Sequence, residues 1–229
     1  MFYLMEIVKL SVYGNSNIGV YIFANNKIAL IPPGLPRDDL DLISEVLGVN
    51  VLEIRVGGSP LNGVFIAGND KGLLLPYFAY SSEIEQLRKE ASKYGLEVKA
   101  LRSRVTALGN AILLNNKAGI ISPDFSDEDL REISEVVGVN LVKRSLLNLP
   151  IPGSIGVVND VGGVVHPDIS QEEINVIQQI LGVAVERATV NAGVPFIKSG
   201  IIANNKGIIV GGITTGPEIL RIRRGFGGG

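Results

Sequence analysis

Five times along the chain the same kind of tripeptide returns: Asn25-Asn26-Lys27, Asn69-Asp70-Lys71, Asn115-Asn116-Lys117, Asn159-Asp160-Val161 and Asn204-Asn205-Lys206. The leading asparagines stand 44, 46, 44 and 45 residues apart, so five units of about 45 residues take up the sequence. A fixed period of that length marks a repeat architecture, in which each unit is one small motif that buries its apolar face only against a neighbour. An apolar run precedes each tripeptide (Val20 to Ala24, Val64 to Ala67, Ala111 to Leu114, Ile155 to Val158, Gly200 to Ala203) and another follows it (Ile28 to Ile31, Gly72 to Leu75, Ala118 to Ile121, Gly162 to Val165, Gly207 to Val210). Two apolar runs across a short Asn-rich turn predict a β-hairpin. Asn and Asp tolerate the positive φ that tight hairpin turns demand, which is the expected reason for their presence. The runs are continuous rather than alternating, so both faces of these strands are expected to be covered.

After each hairpin comes a loop, often with proline (Pro32-Pro33, Pro76, Pro123, Pro167), then a helix. Ser126-x-x-Asp129 reads as a helix start, Ser170-x-x-Glu173 as a capping box, and Thr214-Thr215 before Pro217-Glu218 as an N-cap with an acid in the first turn. Leu40, Ile43 and Leu47; Ile84, Leu87 and Ala91; Leu130, Ile133 and Val137; and Ile174, Ile177 and Leu181 recur at helical spacing, one apolar stripe per helix. Gly48, Gly95, Gly138, Gly182 and Gly225 fall where left-handed C-terminal caps are wanted. A third strand follows in four units, at Val51 to Val56, Glu97 to Leu101, Leu141 to Arg144 and Val183 to Ala188. Only Phe226-Gly227-Gly228-Gly229 follow the fifth helix, too few for a strand, while Glu6-Ile7-Val8-Lys9-Leu10 stands unmatched at the other end. The N-terminal strand is therefore expected to complete the fifth unit and close a ring. The expected organisation is one domain of α/β class with repeats over 15–58, 59–106, 107–150, 151–193 and 194–229, the last completed by 1–14.

Composition narrows the chemistry. With 46% apolar residues the chain buries a full core, and with no cysteine it has no disulfide, no thiolate metal site and no thiol nucleophile. No apolar stretch approaches the roughly 20 residues of a membrane span, and the start lacks a basic n-region, so a cytoplasmic protein is expected. A net charge of −2 argues against broad wrapping of a phosphate backbone. Local basic clusters do occur, at Arg102 with Arg104, at Lys143 with Arg144, and at Arg221 with Arg223 and Arg224.

A fivefold ring of ββαβ units is the pentein, or α/β-propeller, architecture. Within it the chain resembles the translation initiation factor six family over nearly its full length. The resemblance rests on Val105-Thr106-Ala107-Leu108-Gly109-Asn110, Gly153-Ser154-Ile155-Gly156-Val157-Val158, Gly162-Gly163-Val164-Val165-His166-Pro167, Thr189-Val190-Asn191-Ala192-Gly193 and Gly211-Gly212-Ile213-Thr214-Thr215-Gly216-Pro217-Glu218. It implies a factor that binds the intersubunit face of the large ribosomal subunit, keeps the small subunit away and takes part in subunit maturation. It implies no cofactor, no metal and no catalytic residue. The sequence stops shortly after the fifth helix, without the extended tail of eukaryotic members, and so is similar to archaeal ones. Other penteins modify guanidino compounds with a cysteine nucleophile, which is missing here, and the single histidine, His166, reads as structural. Gly211-Gly212 and Gly162-Gly163 lack the G-x-x-x-x-G-K-[ST] context of a phosphate loop and read as close packing near the axis. A binding ring for some other partner is the remaining alternative.

Links between one unit's last strand and the next unit's first must all emerge on one side of the ring, and loops on a rigid scaffold are the usual carriers of binding. The candidate ribosome-binding residues are Asn15, Ser59, Leu61, Asn62, Leu108, Gly109, Asn110, Gly153, Ser154, Asn191, Ala192 and Gly193. The resemblance places the loop matching Leu108-Gly109-Asn110 in the family's contact surface. A monomer making mainly protein contacts is expected, with RNA touched only through local bases such as Arg102 and Arg104.

Overall fold

The computed structural model describes residues 5–227. The first strand, β1 (Glu6–Leu10), leads into a repeat of α1 (Ile18–Tyr21), β2 (Phe23–Ala24), β3 (Ile28–Ile31), α2 (Arg37–Leu47) and β4 (Asn50–Glu53). The second repeat holds α3 (Asn62–Phe65), β5 (Ala67–Gly68), β6 (Gly72–Pro76), α4 (Ser81–Ser92) and β7 (Glu97–Leu101). The third holds α5 (Leu108–Ala111), β8 (Ile112–Leu114), β9 (Ala118–Ile121), α6 (Asp127–Val137) and β10 (Asn140–Lys143). The fourth holds α7 (Pro152–Ile155), β11 (Gly156–Val158), β12 (Gly162–Val165), α8 (Gln171–Leu181) and β13 (Ala184–Arg187). The fifth holds α9 (Ile197–Gly200), β14 (Ile201–Ala203), β15 (Gly207–Gly211) and α10 (Gly216–Gly225).

Each repeat forms its own three-stranded sheet, an antiparallel hairpin with a parallel third strand, for example β8–β9–β10. The fifth sheet takes β1 as that strand, in parallel register from Glu6 opposite Gly207 to Leu10 opposite Gly211. Ring closure through the N-terminal strand is thus as the sequence predicts, and the architecture is that of a pentein. Four of the five middle strands are buried along their length, and β9 is buried but for its first residue, as the continuous apolar runs require.

Helix α6 buries Ile133, Val136 and Val137, and these share a core with Ala67 and Leu74 of the repeat before it. Likewise α2 meets the closing sheet, with Ile43, Val46 and Leu47 against Ile202 and Ile209. The apolar stripe of a helix therefore covers a neighbour's sheet. At about 1.5–3 kcal/mol per fully buried aliphatic side chain, this packing ties each repeat to the next as well as stabilising it within.

Four expectations are corrected. The runs before the turns are not strands throughout: each begins as one helical turn (α1, α3, α5, α7, α9) and only its last two or three residues pair. The third strands beside β3 and β12 are shorter than expected, stopping at Glu53 and Arg187, and the one beside β9 keeps its length but lies one residue earlier, at Asn140–Lys143. The turn asparagines do not take positive φ. Their side chains make hydrogen bonds instead. Gly48, Gly95, Gly138 and Gly182 do adopt left-handed φ, but at the last helix that role falls to Gly227, with Gly225 still inside α10. Gly225 is needed for close approach, because a Cβ built on it would lie 2.5 Å from the Gly163 carbonyl oxygen.

Candidate functional site: two faces and an axial channel

The hairpin turns gather at one end of the ring axis, where they build two stacked rings. In the first, Asn25 Oδ1 accepts from the N–H groups of Lys27 and Ile28, fixing its own turn, while its Nδ2 donates to the carbonyl of Asn69 at 2.8 Å. Asn69 donates to Asn115, Asn115 to Asn159, Asn159 to Asn204, and Asn204 back to Asn25. The same amides of Asn69, Asn115 and Asn204 reach the last carbonyls of outer helices at Val137, Leu181 and Leu47. Only asparagine carries both an acceptor and two donors on so short a side chain; aspartate has no donor.

The second ring is Asn26, Asp70, Asn116, Asp160 and Asn205. Each backbone N–H donates to the next residue's Oδ1 around the full circle. The amides of Asn26 and Asn116 converge on Asp70 Oδ2, and those of Asn116 and Asn205 on Asp160 Oδ2. Burial alone would raise the Asp160 pKa, but the amide bonds from Asn205 and Asn116 and the Lys117 charge pull it below the ordinary value. The carboxylates are already satisfied, and no metal-ligating cluster of three or more His, Cys, Asp or Glu side chains is found among the described residues. Lys71, Lys117 and Lys206 complete this face by donating to the C-terminal glycine carbonyls of Gly138, Gly182 and Gly48.

The opposite end is formed by the links and the N-termini of the outer helices. Four links make reverse turns, closed between Val12 and Asn15, Val56 and Ser59, Leu146 and Leu149, and Val190 and Val194. Helix carboxylates hold three of them. Glu83 accepts from the N–H groups of Gly57 and Gly58, Glu173 from that of Leu147, and Glu218 from those of Ala192 and Gly193. Glu218 also accepts from Thr189 and Thr215. Burial would raise its pKa, but these bonds, led by the Thr215 N–H, pull it down to about 2. The Thr215 cap is therefore as predicted, and Ser126 with Asp129 forms the full capping box. Ser170 caps α8 in one direction only, since Glu173 turns to its link instead.

The third link differs. Residues 102–106 contain no left-handed residue and no closing bridge, and Arg102 and Arg104 are exposed on either side of buried Ser103, which donates to Asp129 at 2.9 Å. The link face also carries Tyr13, Tyr77, Tyr80, Phe196 and Ile213, most of the exposed large apolar side chains among the described residues. His166 is buried, accepts from the Asp168 N–H and packs edge-on to Phe196; burial lowers its pKa, in keeping with a structural place.

All twelve candidate residues lie at this end, but they divide by exposure. Asn15, Ala192 and Gly193 are exposed, and Ser59, Leu61, Asn110 and Ser154 partly so. Asn62, Leu108, Gly109, Gly153 and Asn191 are buried. Asn62 donates to the Ile54 carbonyl and Asn191 to that of Ser16, so both hold links in place. Gly109 and Gly153 belong to a closed circle of helical turns around the axis. A Cβ on Gly63 would strike the Gly19 carbonyl, one on Gly109 that of Gly63, and one on Gly153 that of Gly109. The equivalent residue of the fifth turn is not glycine but Lys198, six positions before Asn204 as Gly19 is before Asn25. Sequence reading missed it, although aligning the repeats on their asparagines exposes it. Behind this circle runs an axial channel, lined by β2, β5, β8, β11 and β14.

No helix among the described residues is long and apolar enough to cross a membrane. The model of the eIF-6 family matches residues 7–225. Similar curated proteins are each called Translation initiation factor 6. That of Staphylothermus marinus is 53% identical, covering 98% of this chain and 99% of its own. That of Saccharolobus solfataricus is 49% identical over 97% and 100%, and that of Pyrococcus horikoshii 39% identical over 97% and 99%. A similar solved structure is the N-terminal domain of ArgZ, an arginine dihydrolase from cyanobacteria, at 13% identity and TM-score 0.48, covering 74% of this chain and 68% of that one. With the family model spanning nearly the whole ring, and archaeal relatives of matching length on every side, the chain belongs to the eIF-6 family.

Proposed function

We propose that the protein is a non-catalytic translation initiation factor of the cytoplasm, which binds the large ribosomal subunit as a monomer through its link face and thereby keeps the small subunit from joining. A part in large-subunit maturation belongs to the same reading. The observation that carries it is the end-to-end match to the eIF-6 family and to relatives named as initiation factors. The link face fits such a role because rigid, latched turns present exposed aromatic and small polar groups with little left to order on binding. Two exposed arginines, Arg102 and Arg104, add a local contact for rRNA phosphate.

The test is sedimentation with purified large subunits, read beside a thermal melt. Asn110→Arg and Ala192→Arg place bulk and charge on exposed or partly exposed positions of the link face, and each is expected to weaken binding at least tenfold while melting stays within a few degrees of wild type. Asn191→Arg is unsuitable, since Asn191 is buried at φ 50° and bonded to Ser16. Undiminished binding by both variants would overturn the placement, and absence of binding by the wild type would overturn the function.

A further inference from the structure

Lys198 breaks the symmetry of the axial circle. Four turns carry glycine at this position, and the fifth carries the longest aliphatic stem with a charge at its tip. The side chain lines a cavity of about 70 Å³ on the axis, room for a few waters or one small ion. No other residue lining that cavity is titratable. Lys198 is only partly buried and keeps some of its surface open, yet the protein packed around it is the one influence on the amine, pushing its pKa down to about 8, and no carboxylate or hydrogen-bond partner among the described residues offsets it. Near neutral pH the amine is therefore still mostly an ammonium, held without a counter-charge in a place that disfavours one.

The walls supply the complementary groups. In each hairpin the leading asparagine N–H bonds across the turn, as Asn25 does to Ile28 and Asn204 to Gly207. An antiparallel ladder alternates, so the residue just before each asparagine turns its N–H away from its partner strand. Those residues are Ala24, Gly68, Leu114, Val158 and Ala203, and all five line the same cavity as Lys198. Their carbonyls turn the same way, which leaves the wall neutral and polar. The lysine decides the sign. The carboxylates of Asp70 and Asp160 are held by the amides of their own ring rather than by the lysine.

We propose that the axial channel is a binding site for one small inorganic or carboxylate anion, of the size of a halide or formate, held between the Lys198 ammonium and the inward N–H groups of the innermost strands. The anion would neutralise the partly desolvated charge on the axis and tie the fifth turn to the other four.

Crystals of the whole chain grown or soaked in sodium bromide should show an anomalous peak on the ring axis within about 3.5 Å of Lys198 Nζ, the ordinary reach of a charge-assisted contact. In solution the melting temperature should rise by several degrees in bromide over gluconate at equal ionic strength, gluconate being too large for the cavity. Lys198→Met should lose both signals, as should Lys198→Gly, which restores the residue of the other repeats and guards against a misfolded methionine variant. A wild-type crystal without an axial peak, or a peak that persists in either variant, would overturn the site.

Discussion

At the scale of single residues, the five leading asparagines explain the repeat more fully than any apolar position does. Their recurrence was legible at once, but the reason read from it was wrong, because a preference for positive φ and a need for a short two-way hydrogen bonder leave the same letter in the sequence. Only the neighbouring repeats, brought beside each other, separate the two. Asn115→Ala would orphan the N–H groups of Lys117 and Ala118 and the carbonyls of Asn159 and Leu181. At about 1–3 kcal/mol per buried group left unpaired, and with water reaching some of them, a loss on the order of 3 kcal/mol is expected in denaturant titration. A loss under about 1 kcal/mol would show that the ring is ornamental. Glu218 gives a second residue-level test. Its folded pKa lies near 2 against an ordinary 4.5, so its contribution is present above pH 4.5 and disappears as the pH falls from there towards 2. Glu218→Gln should cost about 1–2 kcal/mol at neutral pH after discounting for solvent screening, and the gap to wild type should close by about pH 2. Melts that stay parallel across that range would contradict the assignment.

At the scale of elements, helices and middle strands were the easiest to read, since periodicity and caps agree there. The short turns α1, α3, α5, α7 and α9 were not, because a four-residue helix has no apolar period and its residues read equally well as the start of a strand. That misreading matters for the site. Leu108, Gly109 and Gly153 looked like loop residues free to touch a partner, whereas the turns bury them against the axis and leave Asn110 and Ser154 at the surface. The N-terminal strand was recoverable by counting alone, as the one piece without a repeat. Deleting residues 1–12 should strip β15 of its parallel partner and remove Val8, Leu10 and Val12 from the core they share with α2. Loss of a single cooperative melting transition, or aggregation through the bared strand edge, is the expected outcome in calorimetry and light scattering. A truncated chain that melts like the full one would refute closure.

For the whole molecule, chemistry on guanidino compounds through a thiol nucleophile would need a cysteine, and the sequence has none. Incubation with arginine, agmatine or methylated arginines should give product at background levels, and reproducible turnover abolished by His166→Ala would reverse that conclusion. Asymmetry is what the molecule adds to a near-regular ring: the unturned link at Arg102 to Arg104, the lysine at the axis, and Val161 where the other turns place a capping lysine. None of these is visible from composition. Each appears only when the five units are laid over one another.

The pairing of β1 with β15 also sets a timetable. A strand made within the first ten residues finds its partner only when residues 207–211 have been synthesised, some 200 positions later. Until then the first repeat lacks the sheet that covers α2, so Ile43, Val46 and Leu47 have nowhere native to go. Folding during synthesis can assemble the second, third and fourth repeats in order, each against the one before. The ring itself can close only after the last repeat has left the exit tunnel, so the newborn chain stays open until its fifth sheet is made.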